Sequence, residues 1–236
     1  MPSRSPQPFL RLPAAVTALV IVLVAAHLAR MLAPPHVSSW ILANFAFYPI
    51  GYDHVYLAAR GLSAGTLIEQ LVPFVSYSFL HANWQHLAIN CVWLLPFGAV
   101  VARRWGAVSF ILFFLLSGAG GAVAHLALNW GSPVPVIGAS AAIAGCMAAA
   151  FRMMWTPGKL APLFSPRVML WSGVWVLINI VAGLTGLGAD GHVRLVAWQA
   201  HLGGYFTGLL LAGPFEALHL SFARRPRRPR RFRRAP

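Results

Sequence analysis

Long apolar stretches separated by shorter polar ones recur along the whole chain. A longer segment, about residues 34–72, separates the first apolar stretch from the second. Within this segment, "VYLAARGLSAGTLIEQLV" is typical of short amphipathic helices that lie in a membrane interface. Stretches long enough for helices that cross a bilayer fall near residues 13–33, 84–102, 106–128, 137–155, 168–188 and 196–215. The pattern predicts an all-α polytopic membrane protein, a bundle of six transmembrane helices with a long membrane-associated first loop.

The composition agrees with this prediction. Hydrophobic residues make up 58% of the 236-residue chain and charged residues only 9%, against about a quarter in soluble domains. An ordinary soluble globule is thereby excluded, and an integral membrane protein is expected. The two cysteines, Cys91 and Cys146, lie in apolar stretches without the spacing of metal ligands, so we expect free thiols.

The basic residues predict how the bundle is oriented. Six spans place both ends of the chain on one side, and with the N-terminus inside, 15 of the 18 basic residues fall on the inner side. This satisfies the positive-inside rule, whereas the inverse orientation violates it. We expect a cytoplasmic N-terminal segment at residues 1–12, a six-helix transmembrane domain at residues 13–222 and an arginine-rich cytoplasmic tail at residues 223–236, in a bacterial plasma membrane.

The tail carries eight arginines, interrupted by prolines that prevent a stable helix. The net charge of +14 suggests a nucleic-acid partner, but its concentration in the tail favours a segment that sets the topology and contacts anionic lipid. We therefore expect the lipid bilayer as the partner of the tail, and no nucleic acid.

Polar side chains inside the spans form three groups. His86 and Asn90 lie four residues apart on one face of the second span, Ser140 is in the fourth and His201 in the sixth. Counted from the charged residues at the inner ends of the spans, Asn90, Ser140 and His201 lie roughly 20, 18 and 22 Å from the inner face. Polar groups in hydrocarbon normally face protein or water, and these three share one level, about 10 Å below the outer surface.

Two rows of small residues predict that the fourth and sixth helices pack closely, which would bring Ser140 and His201 within hydrogen-bond reach. The rows are Ala141, Ala144, Gly145 and Ala148 on the fourth helix, and Ala200, Gly204, Gly208 and Ala212 on the sixth. Taken singly, a serine in a membrane helix is usually a packing residue and a histidine near a helix end an interfacial one. The combination favours a serine nucleophile with a histidine base.

The segments "YSFLHANWQHLAINCVWLLPFG", "GASA" and "AHLGGYFTG", in this order, resemble the rhomboid intramembrane serine proteases. The resemblance covers roughly Phe45 to Gly213 and implies a rhomboid-like bundle with a protease domain at residues 13–222. It implies that Ser140 is the nucleophile and His201 the general base of an endopeptidase that cuts single-span membrane proteins near the outer face.

The resemblance also implies the supporting roles. His86 and Asn90 match the side chains of the oxyanion hole, to which the Ser140 amide adds a donor, and His81 matches a structural or gating histidine. The glycines of the matching motifs, which we expect to support the site, are Gly138, Gly204 and Gly208.

The sequence departs from the family pattern at two positions beside the serine. Ala141 stands where a glycine is usual, and Ala144 where an aromatic often packs on the histidine, so another group must orient His201. The chain has only four acidic residues, and we place them in outer loops or near the inner face, which indicates a Ser–His dyad without an acidic member.

Three alternatives remain open. A catalytically weak or inactive rhomboid-like protein that binds membrane clients is supported by the two alanines. A channel or transporter would need polar residues along a whole path, and the inner halves of these spans are apolar. A metal-dependent protease lacks its His-Glu-x-x-His motif and an acid beside the histidines, so we expect no metal and no other cofactor. The oligomeric state is left open.

Overall fold

The computed structural model describes residues 12–155, 158–185 and 197–223, so the expected basic tail and most of the N-terminal segment lie outside the described residues. No strand occurs in these ranges, and a single bridge joins Phe47 and Val136. The helices are α1 (Ala14–Leu32), α2 (Pro35–Phe45), α3 (His54–Ala59), α4 (Leu67–Leu71), α5 (Pro73–Ser76), α6 (Trp84–Trp105), α7 (Ala107–Leu128), α8 (Ser140–Met154), α9 (Pro166–Thr185) and α10 (Trp198–Ala223). The predicted all-α class is confirmed.

Four of the described helices, α1, α6, α7 and α9, are long and apolar enough to cross a bilayer. Helix α8 has 15 residues, and α10 has 26. Large apolar side chains are exposed on the outside of the bundle, among them Ile21 on α1, Val92 on α6 and Leu177 on α9. Such apolar surfaces are compatible with contact to lipid. The helical backbone is compatible with it too, because its hydrogen bonds are made within the helix. The polytopic membrane protein is confirmed, while the count of six spans stays a prediction.

The loop between α1 and α6 is built from short helices, as its amphipathic pattern predicts. Asp53 accepts hydrogen bonds from the first amides of α3, and Thr66 and Glu69 form a capping box at the start of α4. The loop is tied to the segment before α8, because Phe47 and Val136 exchange two backbone hydrogen bonds of 3.1 and 2.8 Å. The first loop thus positions the chain that leads into Ser140.

Helices α8 and α10 pack backbone to backbone, as the rows of small residues predict. A Cβ added to Gly204 would fall on the carbonyl oxygen of Ala141, and one added to Gly208 would overlap the backbone of Gly145. Only glycine leaves room for this approach. Helix α7 joins the same contact through Gly121, which faces Ala141.

Ionic and polar contacts join the helices at the end of the bundle opposite Ser140. Arg104 on α6 forms an ion pair with Glu216 on α10, which also accepts a hydrogen bond of 2.9 Å from Trp105 Nε1. The buried Arg152 on α8 donates to the carbonyl oxygens of Ala161 and Leu209, at 3.0 and 2.8 Å. These contacts satisfy charged groups that would be costly if left unpaired inside the bundle.

Candidate active site

Ser140 and His201 are in direct contact. Ser140 is the first residue of α8, and its Oγ lies 2.8 Å from Nε2 of His201, which is in the first turn of α10. Both residues are half-buried. A serine hydroxyl bonded to an imidazole nitrogen can pass its proton to that nitrogen during attack on a carbonyl.

The turn before Ser140 requires glycine at position 138. Gly138 has a φ of +121°, which residues with a Cβ rarely adopt, and a Cβ there would lie 2.7 Å from Nε2 of His86. Its amide donates to the carbonyl of Tyr77 at 2.9 Å. Tyr77 is fully buried and donates its hydroxyl to the carbonyl of Gly118 on α7. Because burial raises the pKa of the Tyr77 phenol, the side chain stays a neutral donor.

The position of Ser140 at a helix N-terminus supplies hydrogen-bond donors. The first amides of an α-helix have no acceptor within the helix, and the end carries a partial positive charge. In α8, the amide of Ile143 is bonded to the carbonyl of Ala139 at 2.9 Å. The amides that precede it, including that of Ser140, therefore suit a developing negative charge beside the hydroxyl.

His86 and Asn90 lie on the face of α6 that approaches Ser140. A Cβ built on Gly138 would lie 2.8 Å from Cε1 of His86 and 3.8 Å from Oγ of Ser140. The imidazole of His86 and the hydroxyl of Ser140 therefore border the same small space. Asn90 is buried, and its Nδ2 donates to the carbonyl of His86 at 2.9 Å. The structure therefore places His86 at the site and Asn90 one helical turn behind it.

His81 lies at the junction of α1 with α6, next to His86. Its ring meets that of His86 edge to face, with centroids 5.1 Å apart. Its carbonyl accepts a hydrogen bond of 2.6 Å from Nη2 of Arg30. Burial lowers the pKa of His81 to about 3, so the imidazole is neutral at physiological pH. This environment suits a packing role better than proton transfer.

A residue that the sequence analysis did not name, Asn179 on α9, is a second hydrogen-bond partner of the His201 ring. Its Oδ1 lies 2.9 Å from Nδ1 of His201, on the side of the ring away from Ser140. The available signal was a polar side chain within an apolar span. The partner of that side chain could not be read from the sequence, because nothing in the pattern of α9 sets its rotation against α10.

The two alanines beside the serine are accommodated by neighbouring helices. The backbone of Ala141 faces Gly204 on α10, while its methyl group faces Gly121 on α7. Ala144 packs in a buried cluster with Tyr205 of α10, and the ring of Tyr205 stacks on Trp175 with centroids 4.3 Å apart. Neither alanine separates Ser140 from His201.

Within the described ranges, no group of three or more His, Cys, Asp or Glu side chains could hold a metal ion. Among the described residues, the polar groups at the site are the hydroxyl of Ser140, the imidazoles of His201 and His86, and amide groups. Such a set fits nucleophilic attack with proton transfer and oxyanion binding.

The comparisons with known proteins agree on one family. A model of the Rhomboid domain matches residues 68–216, more than half of the chain. Rhomboid protease GluP of Bacillus subtilis (strain 168) is 31% identical over 177 residues, which cover 70% of this chain and 32% of that protein. Rhomboid-like protein 11, chloroplastic, of Arabidopsis thaliana is 29% identical over 177 residues, 72% of this chain and 62% of that protein.

A further relative is Rhomboid-like protease 3 of Toxoplasma gondii, 28% identical over 145 residues, 60% of this chain and 51% of that protein. The chain therefore spans less than two thirds of the length of these relatives. The match to the Rhomboid domain, residues 68–216, includes Ser140, His201, His86 and Asn90.

Proposed function

The chain belongs to the rhomboid family of intramembrane serine proteases, and from that premise we propose that it is an endopeptidase that cuts single-span membrane proteins. Ser140 is the nucleophile and His201 the general base. The observation that carries the proposal is the 2.8 Å contact between Ser140 Oγ and His201 Nε2. The name of a relative, Rhomboid protease GluP, supports the same activity.

In the first half of the reaction, Nε2 of His201 takes the proton of the Ser140 hydroxyl while Oγ attacks the carbonyl carbon of the scissile peptide bond. The resulting oxyanion is stabilised by the amides at the start of α8 and by the side chain of His86, with Asn90 as the further donor. Each well-placed donor is worth on the order of 10²-fold or more in rate.

Collapse of the tetrahedral intermediate breaks the peptide C–N bond. The imidazolium of His201 gives its proton to the departing amine, and an acyl ester on Ser140 remains. A water molecule then gives a proton to Nε2 of His201 and attacks the ester carbonyl. The bond between that carbon and Oγ breaks, Oγ takes the proton back from the imidazolium, and the acyl part of the substrate leaves as a carboxylic acid. The partial exposure of Ser140 and His201 is consistent with access for that water.

The substrate is a membrane helix that has unwound locally. A hydrogen-bonded helical backbone does not present its carbonyl carbon to a nucleophile, so helix-weakening residues near the cut favour cleavage. The depth of Ser140, about 10 Å below one surface by the helical rise, supports a cut near that face. We place this face on the outside, because the basic residues mark the other side.

Cleavage by the purified full chain in liposomes tests the proposal. With a model single-span substrate, we expect Ser140→Ala and His201→Ala each to abolish cleavage while gel filtration and thermal unfolding stay as in the wild type. Ser221→Ala, a remote and exposed serine of α10, is the matched control and should cut normally. Undiminished cleavage by Ser140→Ala would refute the protease, and binding of the substrate without cleavage by the wild type would favour the client-binding alternative.

We further propose a bacterial plasma membrane location, with both ends of the chain cytoplasmic and the basic tail against anionic lipid. The support is the distribution of the basic residues. In a background with Cys91 and Cys146 replaced by alanine, Arg60→Cys should react with an impermeant maleimide from outside and Arg228→Cys only after permeabilisation. Labelling of Arg228→Cys in intact cells would overturn this orientation.

A further inference from the structure

The Nδ1 atom of His201 has a partner on a helix that carries neither the nucleophile nor the base. We propose that Asn179 is a positioning residue, which holds the proton of His201 on Nδ1 and thereby keeps Nε2 free to accept from Ser140. The inference rests on the proposed protease function, because it assigns a role toward the base of that site. It also answers how His201 is oriented, since among the described residues the ring nitrogens are hydrogen-bonded to Asn179 and Ser140 and to no acidic side chain.

The orientation of the Asn179 amide follows from its second contact. Nδ2 of Asn179 donates to the carbonyl of Trp175 at 2.9 Å, one turn earlier on α9. The reversed amide would set Oδ1 against that carbonyl, acceptor against acceptor, and is therefore excluded. Consequently Oδ1, an atom that can only accept, faces Nδ1 of His201 at 2.9 Å.

This orientation determines the tautomer of the imidazole. An acceptor at Nδ1 requires the proton to be there, and a neutral imidazole then has its lone pair on Nε2. That lone pair lies 2.8 Å from the Ser140 hydroxyl, in the geometry needed to take its proton. When His201 becomes an imidazolium during attack, Oδ1 keeps its bond to Nδ1–H, and the negative end of the amide dipole stabilises the new charge.

Other contacts hold α9 against α10, so the place of Asn179 does not depend on its own hydrogen bond. Two turns away, the hydroxyls of Ser172 and Tyr205 lie 2.6 Å apart, and the rings of Trp175 and Tyr205 stack. The Ser172 contact joins the same two helices without touching His201. A variant that lacks the Ser172 hydroxyl is therefore the matched control, because it weakens the packing of α9 on α10 without changing a contact of His201.

Kinetics of the full chain in liposomes separate positioning from packing. Asn179→Leu keeps the shape but offers no acceptor, and we expect kcat to fall on the order of 10- to 100-fold with little change in KM. Asn179→Asp should recover most of the rate, because one oxygen of its protonated carboxyl can donate to the carbonyl of Trp175 while the other accepts from Nδ1–H of His201. Ser172→Ala should retain the wild-type kcat. Equal losses in Ser172→Ala and Asn179→Leu, or no rescue by Asn179→Asp, would overturn the inference.

A second readout reports the tautomer itself. In ¹⁵N-histidine spectra, the His201 signals are those missing from His201→Gln, and we expect a protonated Nδ1 in the wild type and a shift toward protonated Nε2 in Asn179→Leu. Asn179→Ala serves if the leucine variant does not fold. An unchanged tautomer without the amide would overturn the inference. The spectrum can be measured whether or not the chain cleaves a substrate. Failure of the inference about Asn179 is therefore distinguishable from failure of the protease proposal.

Discussion

The approach of α10 to α8 at Gly204 sets the distance between Ser140 and His201, and Gly204→Ala tests this. A Cβ on Gly204 falls on the carbonyl oxygen of Ala141 and lies 2.6 Å from its carbonyl carbon, whereas real Cβ atoms essentially never approach within 3.0 Å of another heavy atom. The obstacle is backbone, which cannot rotate aside, so we take the helices to separate by about 1 Å. The Oγ–Nε2 distance, now 2.8 Å, would then reach about 3.8 Å, beyond hydrogen-bond range.

We expect Gly204→Ala to lower kcat by about 10²-fold, the effect of a misplacement of this size. Overpacking destabilises by about 1–3 kcal/mol, and the better helix propensity of alanine offsets about 1 kcal/mol of it. Turnover in liposomes and thermal unfolding in detergent measure the two effects. Gly213→Ala, on the same helix but with nothing within 4 Å of its Cβ, is the control and should lose neither activity nor stability. Wild-type turnover by Gly204→Ala would refute the close-approach reasoning.

Two further variants test the surroundings of the site. Ala141→Gly removes a methyl group that faces α7 and not His201, so turnover should be unchanged while stability falls by about 1 kcal/mol through helix propensity; a large loss of turnover would contradict the assigned direction of the methyl group. Glu216→Gln breaks the pair with Arg104 and weakens the bond from Trp105, so the free energy of unfolding should fall by roughly 1.5–3 kcal/mol. Turnover per folded molecule should stay at the wild-type level, because this contact lies at the far end of the bundle, and a parallel loss of kcat would show that the two ends are coupled.

The first loop contributes to the site through the backbone rather than through reactive side chains. Phe47 pairs with Val136, and the carbonyl of Tyr77 accepts the amide of Gly138. Both contacts hold the short segment that ends at Ser140. The loop is therefore part of the scaffold that aims the nucleophile, in addition to whatever contact it makes with the membrane.

Much of the fold could be predicted because span formation depends on local composition. A run of apolar residues of sufficient length forms a helix in lipid whatever its neighbours are, since its backbone groups must be satisfied internally. The predicted stretch 13–33 corresponds to α1, Ala14–Leu32, and the stretch 106–128 to α7, Ala107–Leu128. The rows of small residues likewise predicted which faces of α8 and α10 meet. Gly204 and Gly208 have no side chain, so they allow the backbones of the two helices to come close together.

What the sequence determined by itself was the all-α membrane class, the approximate positions of the long helices and the pairing of a serine with a histidine on two of them. The tertiary structure alone decided the third partner, Asn179, and the direction of the Ala141 methyl group. Both depend on the rotation of one helix about its axis relative to another. That rotation is set by contacts between distant residues, such as Ser172 with Tyr205, and the apolar pattern of a membrane helix, lipid-facing on most sides, does not encode it.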